Sequence, residues 1–314
     1  MERTLIYTTD HFISPLPVSH FLKQKGFSSQ NLVQLKKDPS AVLANGIPCF
    51  MNHILQPGDT LTLHIREDHS SEKIPPVNLP LNIVYEDADL MVINKPAGMP
   101  IHPSMNNYYN SLANALAYYF EQQNCPFVFR CINRLDRDTS GLTIVAKHYV
   151  SAGMLSAMIA NKATSGITRE YLAIVKGRMT EKKEVEGYLL KDEKKNKVTV
   201  SREEKKGSSY IKTGYEPLVS TKEMTLLRVH LMTGKPHQIR SHLSSLGHPV
   251  AGDAKYGGAH PGIRWQLLHA YELQFPRLEA PFERISGKTF CAPVPECFYE
   301  KNIPAEIIEK LKQY

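Results

Sequence analysis

The stretch Cys131-Ile132-Asn133-Arg134-Leu135-Asp136-Arg137-Asp138-Thr139-Ser140-Gly141-Leu142-Thr143-Ile144-Val145-Ala146-Lys147 decides how this chain is read. It is a charged cluster closed by a glycine and followed at once by an apolar run. Leu142 to Ala146 is short and partly β-branched, which predicts a buried strand. Thr139, Ser140 and Gly141 supply turn chemistry just ahead of it. Asp136 and its arginine neighbours are therefore held at the mouth of a strand, where a rigid scaffold can aim a carboxylate at a ligand.

An aspartate in such a string fits several chemistries. Asp136, Asp138, Ser140 and Gly141 follow the order of an EF-hand calcium loop, which ends on a bidentate Glu. Lys147 occupies that last position, so the calcium reading fails. A phosphatase of the haloacid-dehalogenase type would use Asp136 as nucleophile and Asp138 as acid/base. It wants a clean apolar strand running into the first Asp, and Arg134 stands where that strand should end. The plainest alternative is a turn in which Asp136 caps local backbone N–H groups. A lone Asp would be read that way; here a whole constellation has to be explained.

The full string closely resembles motif II of the RluA-type pseudouridine synthases, with Asn133 where that family usually has His. Further segments resemble the family in the expected order. Ile83 to Ser104 contains a strand pair and the turn Lys95-Pro96-Ala97-Gly98. Arg169-Glu170-Tyr171-Leu172-Ala173 is similar to the family's Tyr motif, with Arg169 where Lys is common. Thr233-Gly234-Lys235-Pro236-His237-Gln238-Ile239-Arg240 resembles its His-Gln-Ile-Arg motif, with Lys235 for a usual Arg. Gly252-Asp253-Ala254-Lys255-Tyr256-Gly257 and Leu268-His269-Ala270 follow. The resemblance spans about Leu81 to Phe298. It implies an α+β catalytic domain whose mixed, largely antiparallel sheet carries flanking helices and a cleft across it.

Bulk properties agree. A chain of 314 residues allows one large domain and a small one, and it can bury a sizeable core. A net charge of +7 favours a polyanionic partner. No apolar run is long enough to span a membrane, and the first residues lack a basic region followed by an apolar core; a cytoplasmic location is expected. Cys49, Cys125, Cys131, Cys291 and Cys297 show no close zinc or redox spacing and are read as structural and reduced. His237 and His242 share a segment without a completing carboxylate, so no metal is expected.

The chain divides by character at residues 1–66, 67–80 and 81–314. In the first part, Val18 to Leu35 reads as two short helices broken at Gly26, with Ser28 and Ser29 suited to an N-cap. A strand ending at Asn45-Gly46 and the turn Pro57-Gly58-Asp59 before a strand from Leu61 to Ile65 complete it. This layout resembles a small alpha-L RNA-binding domain, divergent at Val18 to Leu22. Residues 67–80 are polar and contain Pro75-Pro76, as an interdomain linker would. Removing everything before Leu81 is expected to weaken RNA binding and leave the catalytic domain folded. Asn110 to Gln123 and Ser151 to Asn161 read as amphipathic helices, and Ala305 to Gln313 as a C-terminal one. Lys194-Lys195-Asn196-Lys197 is either a basic contact or part of a solvated hairpin.

Pseudouridylation breaks the bond from uracil nitrogen to ribose, turns the base and rejoins it through carbon 5. It consumes no donor, and the chain lacks both a Gly-rich dinucleotide fingerprint and a phosphate-cradling Gly-Lys-Ser/Thr loop. The resemblance implies Asp136 as the catalytic carboxylate, Arg240 as its ion-pair partner and Tyr171 as the residue that stacks on uracil. The carboxylate's chemistry stays open between attack on sugar, attack on base and proton abstraction. A base inside RNA must be flipped out first, and the resemblance gives Arg134 the vacated place. Lys147, Lys255 and Arg264 are candidate phosphate contacts. The expected enzyme is an RNA pseudouridine synthase acting on ribosomal or transfer RNA, as a monomer without cofactor. The alternatives are a catalytically inactive RNA-binding protein of the same fold and a metal-dependent Asp phosphatase, which a magnesium requirement would expose.

Overall fold

Ser140–Ala146 is a strand with every residue buried, which fits its mostly apolar run; buried Thr143 donates to the Asn133 carbonyl. A computed structural model of the chain describes residues 1–9, 14–160, 166–192 and 197–314. Within them the strand lies inside a large sheet. It pairs antiparallel with Leu90–Lys95, from Gly141 opposite Lys95 to Ala146 opposite Leu90. On its other side it meets Leu268–Gln274 in parallel over only two positions, Ser140 with His269 and Gly141 with Ala270. The sheet continues antiparallel from Leu268–Gln274 through Thr168–Lys176, Met224–Leu231, Ser209–Ser220 and Lys183–Asp192 to Lys197–Ser201. At the far side Leu90–Lys95 is followed by Ile83–Glu86. This is the expected mixed, largely antiparallel sheet of an α+β fold.

Gly141 makes the parallel seam possible. Its φ is +107°, and a Cβ there would lie 2.2 Å from the Ala270 carbonyl oxygen. Glycine alone meets both demands.

Alternate residues of the central strands face two different layers. Met91, Ile93 and Val145 pack with Leu112, Leu116 and Phe120 of the helix Leu112–Glu121. That helix begins with a capping box in which Ser111 and Asn114 exchange side-chain and backbone bonds. On the opposite face, Leu90, Val92, Leu142 and Ile144 join one core with Leu22, Leu35, Leu55 and Leu63 of the N-terminal part. The helix Tyr149–Ala160 runs between the two: Val150, Met154 and Leu155 belong to this shared core, and Asn31 reaches across to the Tyr149 carbonyl at 2.8 Å. The three core residues share one face, but Ala152, Ala157, Ile159 and Ala160 spread apolar residues around the rest of the helix, unlike the amphipathic pattern expected for Ser151 to Asn161. Asn161 itself lies outside the described residues, as do Lys194, Lys195 and Asn196; Lys197 opens the outer strand of a hairpin.

The N-terminal part has the helices Val18–Gln24 and Ser29–Leu35, with Ser28 accepting from the Asn31 N–H as N-cap. Its sheet orders Glu2–Thr8, Thr60–Arg66, Val42–Ala44 and Ile47–Pro48. The Asn45-Gly46 turn has φ of 49° and 81°, the primed geometry that suits a tight hairpin. Glu2–Thr8 is a strand that lay outside the sequence expectation.

Ionic ties join this part to the large sheet. Arg3 grips Asp89 through two nitrogens at 2.9 Å, and His148 meets the same carboxylate at 2.9 Å. Glu67 is buried, pairs with Arg130 at 2.8 Å and accepts the Tyr149 N–H. Residues 67–80 are laid along the large sheet's flank: the Ser70 and Ser71 hydroxyls accept from the Phe127 and Phe129 N–H groups, and Asn114 donates to the Pro75 carbonyl. The polarity that reads as linker composition serves these backbone bonds.

The shared core changes the expectation for truncation. Deleting residues 1–80 uncovers Leu142, Ile144 and Phe275, so the remainder should melt at lower temperature and bind a hydrophobic dye. A fragment that melts as the full chain does would show the large sheet to be self-sufficient. Gly141→Ala should cost about 2–4 kcal/mol, because backbone and not a flexible side chain blocks the new methyl group; the urea midpoint measures it.

Candidate active site

Asp136 sits on the loop that enters Ser140–Ala146, and neighbouring side chains fix that loop residue by residue. Asn133 is buried and uses both ends of its amide. Its Oδ1 accepts the Ile144 N–H at 2.6 Å and its Nδ2 donates to the Leu142 carbonyl at 3.1 Å. Asn133 thus ties the loop to the backbone of the strand that follows it. Gln266 donates to the Thr139 hydroxyl at 2.6 Å. Ser140 bonds His269 Nδ1 at 2.9 Å, and His269 Nε2 faces the Ala292 carbonyl at 3.3 Å. The carbonyl can only accept, so Nε2 carries the proton and Ser140 donates to Nδ1. Burial holds that imidazole at about 4, hence neutral.

Lys95, wholly buried, ties the Lys-Pro-Ala-Gly turn to the same loop. Its ammonium donates to the carbonyls of Pro96, Met99 and Arg137 at 2.7, 2.8 and 3.0 Å. Burial draws its pKa down to about 7, against the opposing pull of Asp138 and Asp136.

Arg240 projects from the first turn of the helix Gln238–Ser245. Gln238 anchors that turn, accepting from the Thr233 hydroxyl and the Lys235 N–H and donating to the Lys212 carbonyl and the Thr213 hydroxyl. The guanidinium then makes two separate engagements. Its Nε and Nη2 clamp buried Asp253 at 2.7 and 2.9 Å, while Nη1 donates to Asp136 Oδ2 at 2.7 Å. It also lies over the Tyr256 ring, 5.1 Å from the centroid. Burial works against the charge of Arg240, but Asp253 and Asp136 outweigh it and raise the pKa.

Tyr171 and Arg169 stand on one face of Thr168–Lys176, two residues apart. Tyr171 is buried against Leu135, and that burial raises its hydroxyl pKa while Arg169 opposes the shift. Arg169 is buried too. It donates through Nη2 to the Leu231 carbonyl at 3.2 Å, and its Nε has no partner among the described residues.

These groups line a cleft of about 1280 Å³. Asp136, Tyr171, Arg240, Arg134, Lys255 and Arg264 all border it. Arg134 is exposed there, and Arg264 stacks over Trp265 at 4.5 Å. Lys147 is not brought to the cleft. It donates to Glu86 and to the Asp87 carbonyl, both at 2.8 Å. The reason is linear: Asp136 precedes the strand and Lys147 follows it, so they are separated by roughly 23 Å of extended chain. His237, Asp253 and Trp265 also border the cleft, and Tyr256 lies under Arg240; the sequence reading assigned none of them. Asp253 and Tyr256 stood in the sequence only as members of a quoted motif.

Among the described residues no group of His, Cys, Asp and Glu side chains is disposed to hold a metal ion. No helix among them is long and apolar enough to cross a membrane.

The family model described as RNA pseudouridylate synthase matches residues 89–245. Among curated relatives, the RNA pseudouridine synthase YhcT of Bacillus subtilis is 33% identical over 79% of this chain and 80% of its own length. The ribosomal large subunit pseudouridine synthase D of Zymomonas mobilis is 33% identical over 88% of this chain and 84% of its own. The solved structure of human RNA pseudouridylate synthase domain containing 1 aligns with a TM-score of 0.57 at 23% identity, over 76% of this chain and 98% of that one. It bears on the fold alone.

Asp253→Asn keeps the shape of the clamp and removes its charge. It should destabilise the protein by about 3 kcal/mol, the scale for breaking a buried ion pair from one side. Denaturant unfolding of the variant against the parent measures this.

Proposed function

This chain belongs to the RNA pseudouridylate synthase family, and on that premise we propose that its cleft isomerises a uridine in structured RNA, with Asp136 as the acting carboxylate. Relatives carrying the name ribosomal large subunit pseudouridine synthase D support ribosomal RNA as the substrate class. The observation that carries the assignment is the half-occupied carboxylate. Arg240 takes Oδ2 of Asp136 with one N–H, its other edge being held by Asp253.

The reaction breaks C1′–N1 and forms C1′–C5; carbon 5 loses a proton and N1 ends with one. A carboxylate at C1′ serves it, and the Arg240 guanidinium holds that carboxylate in place through Oδ2. Tyr171 offers a ring face for the turned uracil, and its hydroxyl keeps its proton at neutral pH. Arg134, exposed at the rim, has the flat cation needed to fill the gap left by the flipped base. Lys255 and Arg264 suit phosphates. Residues 1–66 act as an added RNA-binding unit, and the enzyme works as a monomer in the cytoplasm. The inactive-protein reading has little support, since Asp136, Tyr171 and Arg240 are all present around one cleft.

Mapping pseudouridines in total RNA with and without the protein identifies the target. On that RNA, Asp136→Asn should retain binding and lower pseudouridine formation by about a thousandfold or more. Release of tritium from uracil labelled at carbon 5 reports the reaction. Single-turnover activity near that of the parent would assign the chemistry elsewhere.

A further inference from the structure

The second oxygen of Asp136 has a neighbour of its own. Nε2 of His237 stands 3.8 Å from Oδ1, too far for a hydrogen bond between them. Both residues border the cleft. An oxygen placed about 2.8 Å from each would bond both at once. What such a guest must be follows from which of the two atoms carries a proton.

The His237 tautomer is set from behind. Its Nδ1 lies 2.9 Å from the Tyr256 hydroxyl, and that oxygen already accepts the Val198 N–H at 3.1 Å. The phenol hydrogen finds its acceptor in Nδ1, which leaves the ring proton on Nε2, facing Asp136. Burial lowers the imidazole's pKa; Asp136 pulls the other way, and Arg240 and Lys255 reinforce the lowering, so the ring stays neutral. His237 also holds φ at +54°, a left-handed conformation uncommon for a residue with a side chain. Fold and hydrogen bonding together aim one donor, Nε2–H, beside one acceptor, Oδ1.

A guest between them must donate to Oδ1 and accept from Nε2. In a uridine within an RNA chain the base carbonyls and phosphates only accept, and N3–H only donates. The 3′ and 5′ oxygens are esterified. The 2′-hydroxyl alone does both. We propose that Asp136 Oδ1 and His237 Nε2 form the seat of the target uridine's 2′-hydroxyl, so that His237 contacts substrate and distinguishes ribose from deoxyribose. The proposal rests on the pseudouridine synthase reading and adds to it a recognition element in the sugar.

The test uses synthetic hairpin RNAs carrying the mapped uridine, with either ribose or 2′-deoxyribose at that one position. The ratio of their single-turnover rates is compared between proteins, so the intrinsic reactivity of the two sugars cancels. Glycine accepts the left-handed backbone, so His237→Gly removes the donor without new strain. The ribose preference should fall by about tenfold or more, as for one lost hydrogen bond to a hydroxyl. Tyr256→Phe keeps the ring but frees its tautomer, and the preference should fall severalfold. An unchanged ratio in His237→Gly overturns the proposal and leaves a water in the seat. If His237→Gly fails to fold, an unchanged ratio in Tyr256→Phe overturns it instead. A parent protein that converts neither hairpin defeats the pseudouridine synthase reading itself.

Discussion

One guanidinium shared unequally between two carboxylates organises this protein. Arg240 could have met Asp136 edge-on, with two parallel bonds, and both carboxylate oxygens would then be consumed. Asp253 prevents this by holding the Nε edge. A single N–H remains for Asp136, which fixes the group and leaves Oδ1 available. The buried cation in turn has enough negative charge beside it to remain protonated despite its burial. Three separate stretches of chain must converge to build this: the loop before Ser140, the start of Gln238–Ser245 and the turn at Asp253.

The sheet supplies that convergence through its short parallel seam. Ser140 and Gly141 lie against His269 and Ala270, so the loop bearing Asp136 is referenced to the strand that follows Arg264 and Trp265. Among the described residues every other strand pair of the sheet is antiparallel. The seam is thus the point at which distant segments are brought into register, and Gly141 is what lets the backbones approach there.

Much of this was legible in the sequence because it is locally encoded. A β-branched run after a glycine, a Ser at an N-cap and an Asn-Gly turn carry their conformations with them. The buried strand Ser140–Ala146, the break near Gly26 and the Asn45-Gly46 hairpin are where those signals lie. Pairings between remote polar residues carry no such signal. Nothing near Asp253 indicates that it clamps Arg240, and nothing near His237 indicates Tyr256 behind it. Lys147 was read by charge alone, although strand geometry carries it away from the cleft. The polar residues 67–80 look solvated because composition does not record backbone partners on another segment. The pairing of Glu2–Thr8 with Thr60–Arg66 is equally remote.

The common core beneath Leu22, Leu55, Leu142 and Phe275 has a consequence for synthesis. A chain leaving the ribosome at about 5–20 residues per second releases the helices up to Leu35 roughly 12–50 s before the segment around Phe282 and Ile285. Through that interval the core under the N-terminal sheet gains Leu90, Val92, Leu142 and Ile144 but stays incomplete. The nascent protein must hold part of an apolar surface in waiting, shielded by chaperones or by transient collapse, until the segment around Phe282 and Ile285 emerges. The N-terminal unit thus finishes folding when the segment around Phe282 and Ile285 has been made, not on its own completion.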